Sequence, residues 1–310
     1  MLAQMSADER SQSLSLIRTM PELPDISVYI ERLSANLQGA TLLQVKLANP
    51  FVLRTAVPPI ASAEGRPVQG VERLGKRVVI SLQGDLFLVI HLMVAGRLQW
   101  RDAQAKPFGR QVLLHLSFSS GTLSLTEAGT QRRASVHLVQ GRDALAALDP
   151  GGLDVLAATA AEFAQRLKSE NHTLKRALTD PHLLSGIGNA YSDEILHRAR
   201  LSPTTLTQTL TDAAAQALHE AACTVLKEWT NRLRQQAGDW PEKVTAFHPE
   251  MAVHGRFGLP CPVCGAKVAR IVHASNETNY CPRCQTGGRR PADRALSRLL
   301  KASWPKNIDD

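Results

Sequence analysis

Two clusters of residues in this chain have the types and the spacing to do chemistry. The first is Met20-Pro21-Glu22-Leu23, a start-like methionine followed by a proline. A proline with a free nitrogen is a secondary amine that can add to an aldehyde carbon and lose water as an iminium. That amine exists only in a chain that begins at Pro21 after removal of Met20. With residues 1–19 attached, the nitrogen lies in a tertiary amide and is inert. The second cluster is Cys261-x2-Cys264, sixteen residues, then Cys281-x2-Cys284. Each pair turns two thiolates onto one ion, and four thiolates complete the shell of a single Zn2+. A closed shell has no position for a catalytic water. The zinc is therefore expected to be structural, holding a small β-hairpin that could not bury enough core alone. A disulfide framework or a redox dithiol fits poorly, since no secretory signal precedes these pairs.

A third pattern is Ser185-Gly186-Ile187-Gly188-Asn189 ahead of a helical run. Gly186 and Gly188 permit close backbone approach, so a phosphate could rest on exposed N–H groups at the helix start. Asn189 could cap that helix or touch the same phosphate, and Lys175 upstream could add a point charge. A plain tight turn between packed helices explains the glycines equally well.

Elements must hold these clusters in place. Ile26, Tyr29, Ile30, Leu33 and Leu37 recur at helical spacing after Pro24-Asp25. Short branched runs follow at Leu42–Leu47, Val68–Glu72, Arg77–Leu82, Leu86–Leu92, Val112–Phe118 and Leu123–Leu125, in the pattern of an antiparallel sandwich. Asp149-Pro150-Gly151-Gly152 is a break. Beyond it the period turns helical at Ala157–Leu167, Leu174–Leu178, Ala190–Ala199 and Thr211–Leu233. Cys223, the fifth cysteine, reads as a small buried hydrophobe in the last of these. The expected division is a leader over 1–19, disordered or mis-assigned, then a β-sandwich over 20–150 and a helical domain over 151–245. A zinc finger over 246–290 and a basic tail over 291–310 close the chain.

The formal net charge of +8 is unevenly spread: +4 over 20–150, −2 over 151–250 and +6 over the last sixty residues. Positive charge at both ends suits two modules gripping one polyanion, although ordinary solubility charge has the same appearance. No run approaches the roughly 20 apolar residues that span a bilayer.

Taken together, these residues resemble the formamidopyrimidine-DNA glycosylase / endonuclease VIII family. The likeness runs from Met20 to about Gly288. It is carried by Pro21-Glu22-Leu23-Pro24, Lys76 in Arg73-Leu74-Gly75-Lys76-Arg77, His91-Leu92-x3-Gly96, Gly186-Ile187-Gly188-Asn189 with Tyr191 and Glu194, and the four-cysteine finger. The resemblance implies an α+β multidomain fold: an antiparallel β-sandwich with a flanking helix, a helix–two-turn–helix domain and a zinc-finger hairpin, with double-stranded damaged DNA in the cleft. It implies a bifunctional glycosylase and lyase. Pro21 would attack C1′ of a flipped nucleotide, Glu22 would shuttle protons, and Lys76 would hold a phosphate or assist near the lesion. Lys175 and Asn189 would clamp phosphates, and elimination would nick the strand. A monomer in the bacterial cytoplasm, at the nucleoid, is the default expectation.

The chain departs from the family in four places. Residues 1–19 would block Pro21. Asn276 stands where the finger carries an arginine, leaving Arg270 or Arg283 to supply the charge. Ala134 replaces an aromatic wedge, with Arg132 and Arg133 left to probe the opposite strand. Asp25 replaces a glutamate. These changes leave substrate preference open among formamidopyrimidines, oxidised pyrimidines and abasic sites. The competing expectations are a non-catalytic lesion-binding protein of the same fold and, more remotely, an RNA-binding zinc-ribbon protein. The latter would need stacking aromatics, and only 5% of the chain is aromatic.

Overall fold

The computed structural model describes residues 20–102, 111–128, 131–242, 244, 248–273, 276–291 and 307. The expected leader and nearly all of the expected tail lie outside these described residues.

Helix α1, Leu23–Leu37, starts at Glu22 and carries Pro24 in its first turn, where a missing N–H leaves no bond unmade. Its Ile26, Tyr29, Leu33 and Leu37 enter the sandwich core, while Leu23 enters the core of the helical region. One helix thus belongs to two cores, and the residues just ahead of it lie at their junction.

Eight strands follow: β1 (Thr41–Leu47), β2 (Arg66–Leu74), β3 (Arg77–Leu82), β4 (Leu86–His91), β5 (Gly96–Arg101), β6 (Val112–Phe118), β7 (Gly121–Glu127) and β8 (Ser135–Gln140). Their order is β5-β7-β6-β1-β2-β3-β4-β8, with every pairing antiparallel. β1 meets β2 through only Thr41↔Pro67 and Leu42↔Arg66. The two four-stranded halves on either side of that short seam contribute to one core, as a sandwich requires. The sequence patterning anticipates six of these strands and misses β5 and β8, whose polar and aromatic residues mask the alternation. β3 and β4 read as continuous apolar runs because both their faces are covered. Val78 and Ile80 face the main core, while Val79, Phe87 and Val89 pack with Leu145 of a short helix α2, Arg142–Ala146.

The helical region holds α3 (Ala160–Lys168), α4 (Leu174–Thr179), α5 (Asn189–Arg198) and α6 (Asp212–Gln236). α3 begins three residues later than its periodicity suggests, because Thr159 and Glu162 exchange capping hydrogen bonds there. α5 is buried from Ala190 through His197. Its surroundings are α4 and α6 on one side, and on the other the hairpin β9 (Ala269–His273) and β10 (Asn276–Tyr280) with the short α7, Pro282–Thr286. Cys223 is half-buried rather than buried, its thiol near the Val155 carbonyl.

Side-chain contacts lock sandwich to helices. Arg73 forms an ion pair with Asp154 and donates to Ser185 Oγ, and Arg77 donates to the Leu148 carbonyl. Glu31 on α1 holds Arg234 on α6 through two bonds of 2.6 and 2.7 Å. No helix among the described residues is long and apolar enough to cross a membrane.

Candidate active site and metal centre

Pro21 and Glu22 are buried where α1 meets the start of α5. Glu22 is 1% exposed. Its carboxylate accepts from the backbone N–H groups of Gly188 at 2.5 Å, Ala190 at 2.8 Å and Tyr191 at 3.3 Å. Unpaired amides and the helix dipole make this end of α5 a natural anion seat. The sequence pattern leaves Gly186 and Gly188 open to either a phosphate cradle or a plain tight turn. The structure fills that seat with a carboxylate from the segment that leads into α1. The glycines are needed for that closeness. A Cβ on Gly188 would lie 2.5 Å from Glu22 Cδ and 2.8 Å from Lys76 Nζ. Gly186 has φ +84°, and its carbonyl accepts from Leu23 N at 2.9 Å.

Lys76, in the tight turn between β2 and β3, brings an amine to the same point. Burial holds its pKa below the ordinary lysine value, opposed by the charge of Glu22 and reinforced by Lys175. Asp25 adds a second carboxyl. It accepts from Glu22 N at 2.9 Å and lines a cavity of about 600 Å³ with Val28, Leu233, Trp240, Pro241 and Val244. Burial pushes its pKa up to about 7, and the neighbouring Glu22 charge adds to the rise. His91, at the end of β4, is held near pKa 4 by burial and by Arg77, Lys76 and His137, and is therefore neutral at pH 7.

Lys175 is not poised as an open phosphate clamp. Its ammonium donates to Asn189 O at 2.7 Å, Ser192 Oγ at 2.8 Å and Asp193 Oδ1 at 2.5 Å, which engages all three of its protons. Asn189 likewise turns inward, donating from Nδ2 to Glu277 O on β10 at 2.9 Å. Arg132 and Arg133 lie on an exposed loop that buried Glu127 pins through the N–H groups of Arg133 and Ala134. Asn276 opens β10 opposite His273, and its side chain is outside the described part of the structure. Of the two arginines that could replace the missing finger charge, Arg270 is paired with Glu277 and stacked over Phe257. Arg283 donates to the Cys264 carbonyl.

The four cysteines converge. Their sulfurs all lie within 4.8 Å of one another, with Cys264–Cys281 at 3.4 Å and Cys261–Cys284 at 3.9 Å. Four sulfurs about 2.3 Å from a tetrahedral ion sit about 3.8 Å apart. The donor set and its size therefore fit one structural Zn2+, and none of these cysteines is in a disulfide.

Three family profiles match the chain in order. The formamidopyrimidine-DNA glycosylase N-terminal domain covers residues 20–135, the formamidopyrimidine-DNA glycosylase H2TH domain 150–235, and the zinc finger found in FPG and IleRS 258–287. The formamidopyrimidine-DNA glycosylase of Thermus thermophilus is 35% identical over 281 residues, spanning 87% of this chain and all of the relative. The chain belongs to the formamidopyrimidine-DNA glycosylase family. Its coarse class is accordingly a zinc-finger DNA glycosylase of DNA repair. The crystal structure of the MutM (FPG) protein from Thermus thermophilus matches with a TM-score of 0.72 at 33% identity, covering 87% of this chain and all of that one. A Lactococcus lactis FPG (MutM) in complex with a FAPY-dG containing DNA matches in fold, with a TM-score of 0.76 at 22% identity over 86% of this chain and all of that one.

Within this family fold, Asp193 and His197 are not singled out by the sequence, and Glu194 enters only as a landmark of the resemblance. Asp193, fully buried, joins Lys175 to His254 Nδ1 at 2.8 Å and to Asn279 N at 3.1 Å. Glu194 accepts from the N–H groups of Ala252, Val253 and His254 at 2.8–2.9 Å. His197 Nε2 lies 3.3 Å from Cys261 Sγ, joining α5 to the metal module. A signal was available: an acidic pair inside an otherwise buried helix must find partners. Which partners they find is set only by the fold.

Proposed function

We propose that the protein is a bifunctional DNA glycosylase and lyase that excises oxidised bases through a Pro21 iminium and nicks the strand by β- and δ-elimination. The observation that carries this reading is the seating of Glu22 on α5, one residue after Pro21 and beside Lys76. A carboxyl, a neighbouring proline and an amine with a lowered pKa converge at one point, as iminium chemistry at a sugar carbon requires. In this reading Pro21, Glu22 and Lys76 are catalytic. Arg132, Arg133 and the finger around Asn276 meet double-stranded DNA, while Lys175, Asn189 and the Gly186–Gly188 turn fix the frame. The protein works as a monomer in the cytoplasm.

The test is borohydride trapping on a duplex containing one abasic site, using protein that begins at Pro21. A covalent adduct on Pro21 supports the reading. Intact DNA binding without an adduct would shift the reading to a non-catalytic lesion-binding protein. One observation favours that alternative: with residue 20 attached, the Pro21 nitrogen is an amide.

A further inference from the structure

We propose that His197 is a positioning residue of the zinc site: its Nε2–H donates to the Cys261 thiolate, so a side chain on α5, outside the four-cysteine module, sets how firmly that ligand is held on the metal. This goes beyond the lyase reading above and does not rest on it.

The geometry carries the assignment. His197 Nε2 lies 3.3 Å from Cys261 Sγ, within hydrogen-bond reach of sulfur although 64 residues separate the two in the chain. Both groups are buried, the histidine at 7% exposure and the cysteine at 2%. A thiolate on a metal has lone pairs and no proton, so it can only accept. The ring nitrogen that faces it must therefore bear the hydrogen, which leaves Nδ1 as the acceptor of the ring.

The surroundings give the imidazole little freedom to turn away. One turn ahead of it on α5, Glu194 holds the N–H groups of Ala252, Val253 and His254, in the stretch that leads toward Cys261. Asp193 accepts from Asn279 N at 3.1 Å, two residues before Cys281. Just past the helix, Leu201 O accepts from Gln285 Nε2 at 2.9 Å, and Gln285 Oε1 accepts from Cys281 N at 2.7 Å. α5 is thus fastened to the module on both sides of Cys261 in the chain.

Four thiolates on one divalent ion leave the centre anionic, and Cys261 and Cys281 hold their share of that charge away from water. A buried anion of this kind needs N–H donors. Cys281 takes one from inside the module, Cys284 N at 3.4 Å. Cys261 takes the His197 donor from the helical region. That bond draws charge density off sulfur and fixes its orientation toward the metal, so the thiolate is less readily protonated and released.

The experiment uses the full zinc-loaded chain, unaltered and as His197→Phe and His197→Gln. Glutamine places an amide N–H near the position of Nε2, whereas phenylalanine fills the space without a donor. Zinc release into excess chelator should be about 10- to 100-fold faster for H197F, the range for losing a hydrogen-bond partner of a metal ligand. H197Q should recover most of that loss. In the cobalt-substituted proteins, the sulfur-to-metal charge-transfer band should move to lower energy in H197F and return in H197Q, because a sulfur without its donor holds its electrons less tightly. A packing role alone would leave the band in place, and glutamine would do no better than phenylalanine. Either result overturns the proposal. If H197F fails to load metal, the unaltered chain substituted with NMR-active cadmium decides. The proton on His197 Nε2 should then show a scalar coupling to the metal through the Cys261 sulfur, and its absence overturns the assignment.

Discussion

Two buried glutamates in this molecule each gather three backbone amides, and they differ in what adjoins them. Glu194 points from the middle of α5 to the N–H groups of Ala252, Val253 and His254. Burial raises its pKa, those three amides oppose the rise, and Asp193 beside it adds to it. It is 6% exposed, and the segment that supplies its amides is itself buried at Met251, Val253 and His254. Glu22 sits on the amides of Gly188, Ala190 and Tyr191, and the Lys76 amine packs against the same spot, where a Cβ on Gly188 would lie 2.5 Å from Glu22 Cδ and 2.8 Å from Lys76 Nζ. The hydrogen bonding is alike and the neighbours differ. A carboxylate on three amides is a clamp, and the reagent role proposed for Glu22 rests on the amine beside it.

The comparison can be broken most forcefully at the structure Glu194 helps to hold. Stripping the metal with a chelator removes a contribution on the order of 10 kcal/mol to the four-cysteine module. DNA binding should collapse, while the cooperative melting of the sandwich persists in calorimetry. If zinc-free protein binds DNA undiminished, the module is not part of the grip. Next in size is Glu22→Gln. Borohydride trapping should slow by about 100- to 10,000-fold, the range for loss of a general acid–base group. Chemical denaturation should also report a loss of about 2 kcal/mol, since one of the three N–H groups then faces the amide nitrogen.

Glu194→Gln should cost as much stability and leave the chemistry nearly unchanged. Chemical denaturation is expected to report a loss of about 2 kcal/mol, the scale for weakening charge-assisted bonds to buried amides. Single-turnover trapping should change less than tenfold. Equal effects of the two substitutions on trapping would erase the distinction between clamp and reagent. The effect of Asp25→Asn is confined to stability and depends on pH. In the unfolded chain this carboxyl titrates near 3.8, and in the fold at about 7, so the folded state holds the extra proton between those values. Its cost to stability is absent below about pH 4, grows across the window and is complete above pH 7. Asparagine can still accept from Glu22 N, so relative to the parent the variant should be about 3 kcal/mol better off at pH 8 than at pH 5. A gain that does not vary with pH would show that Asp25 is not protonated in the fold.

The residues also show where legibility ends. The metal ligands are plain in the sequence because a knuckle is a local object: each pair of cysteines shares a turn, and sulfur has few other reasons to recur at that spacing. The continuous apolar runs at Arg77–Leu82 and Leu86–Leu92 lie within a residue of the true strands, since burial on both faces leaves little room for polar residues. β5 and β8 escape notice because Gly96-Arg97-Leu98-Gln99 and Ser135-Val136-His137 hide an inward-facing minority among polar neighbours. Lys175 shows a limit of a different kind. A lysine beside a glycine turn suggests a phosphate, but Ser192 and Asp193, within the first turn and a half of α5, engage its ammonium first.

By itself the sequence determined the zinc ligands, the amphipathic face of α1 and the presence of glycines where backbone had to come close. Each of these depends on neighbours within a turn or two, where covalent geometry fixes the distances. Only the tertiary structure decided that Glu22 meets those glycines, that Lys175 faces inward, and that Asp25 is buried deeply enough to raise its pKa. Those outcomes turn on contacts such as Gly188 N to Glu22 Oε2, across 166 residues. At that separation chain spacing sets no distance, and packing together with desolvation selects the partner.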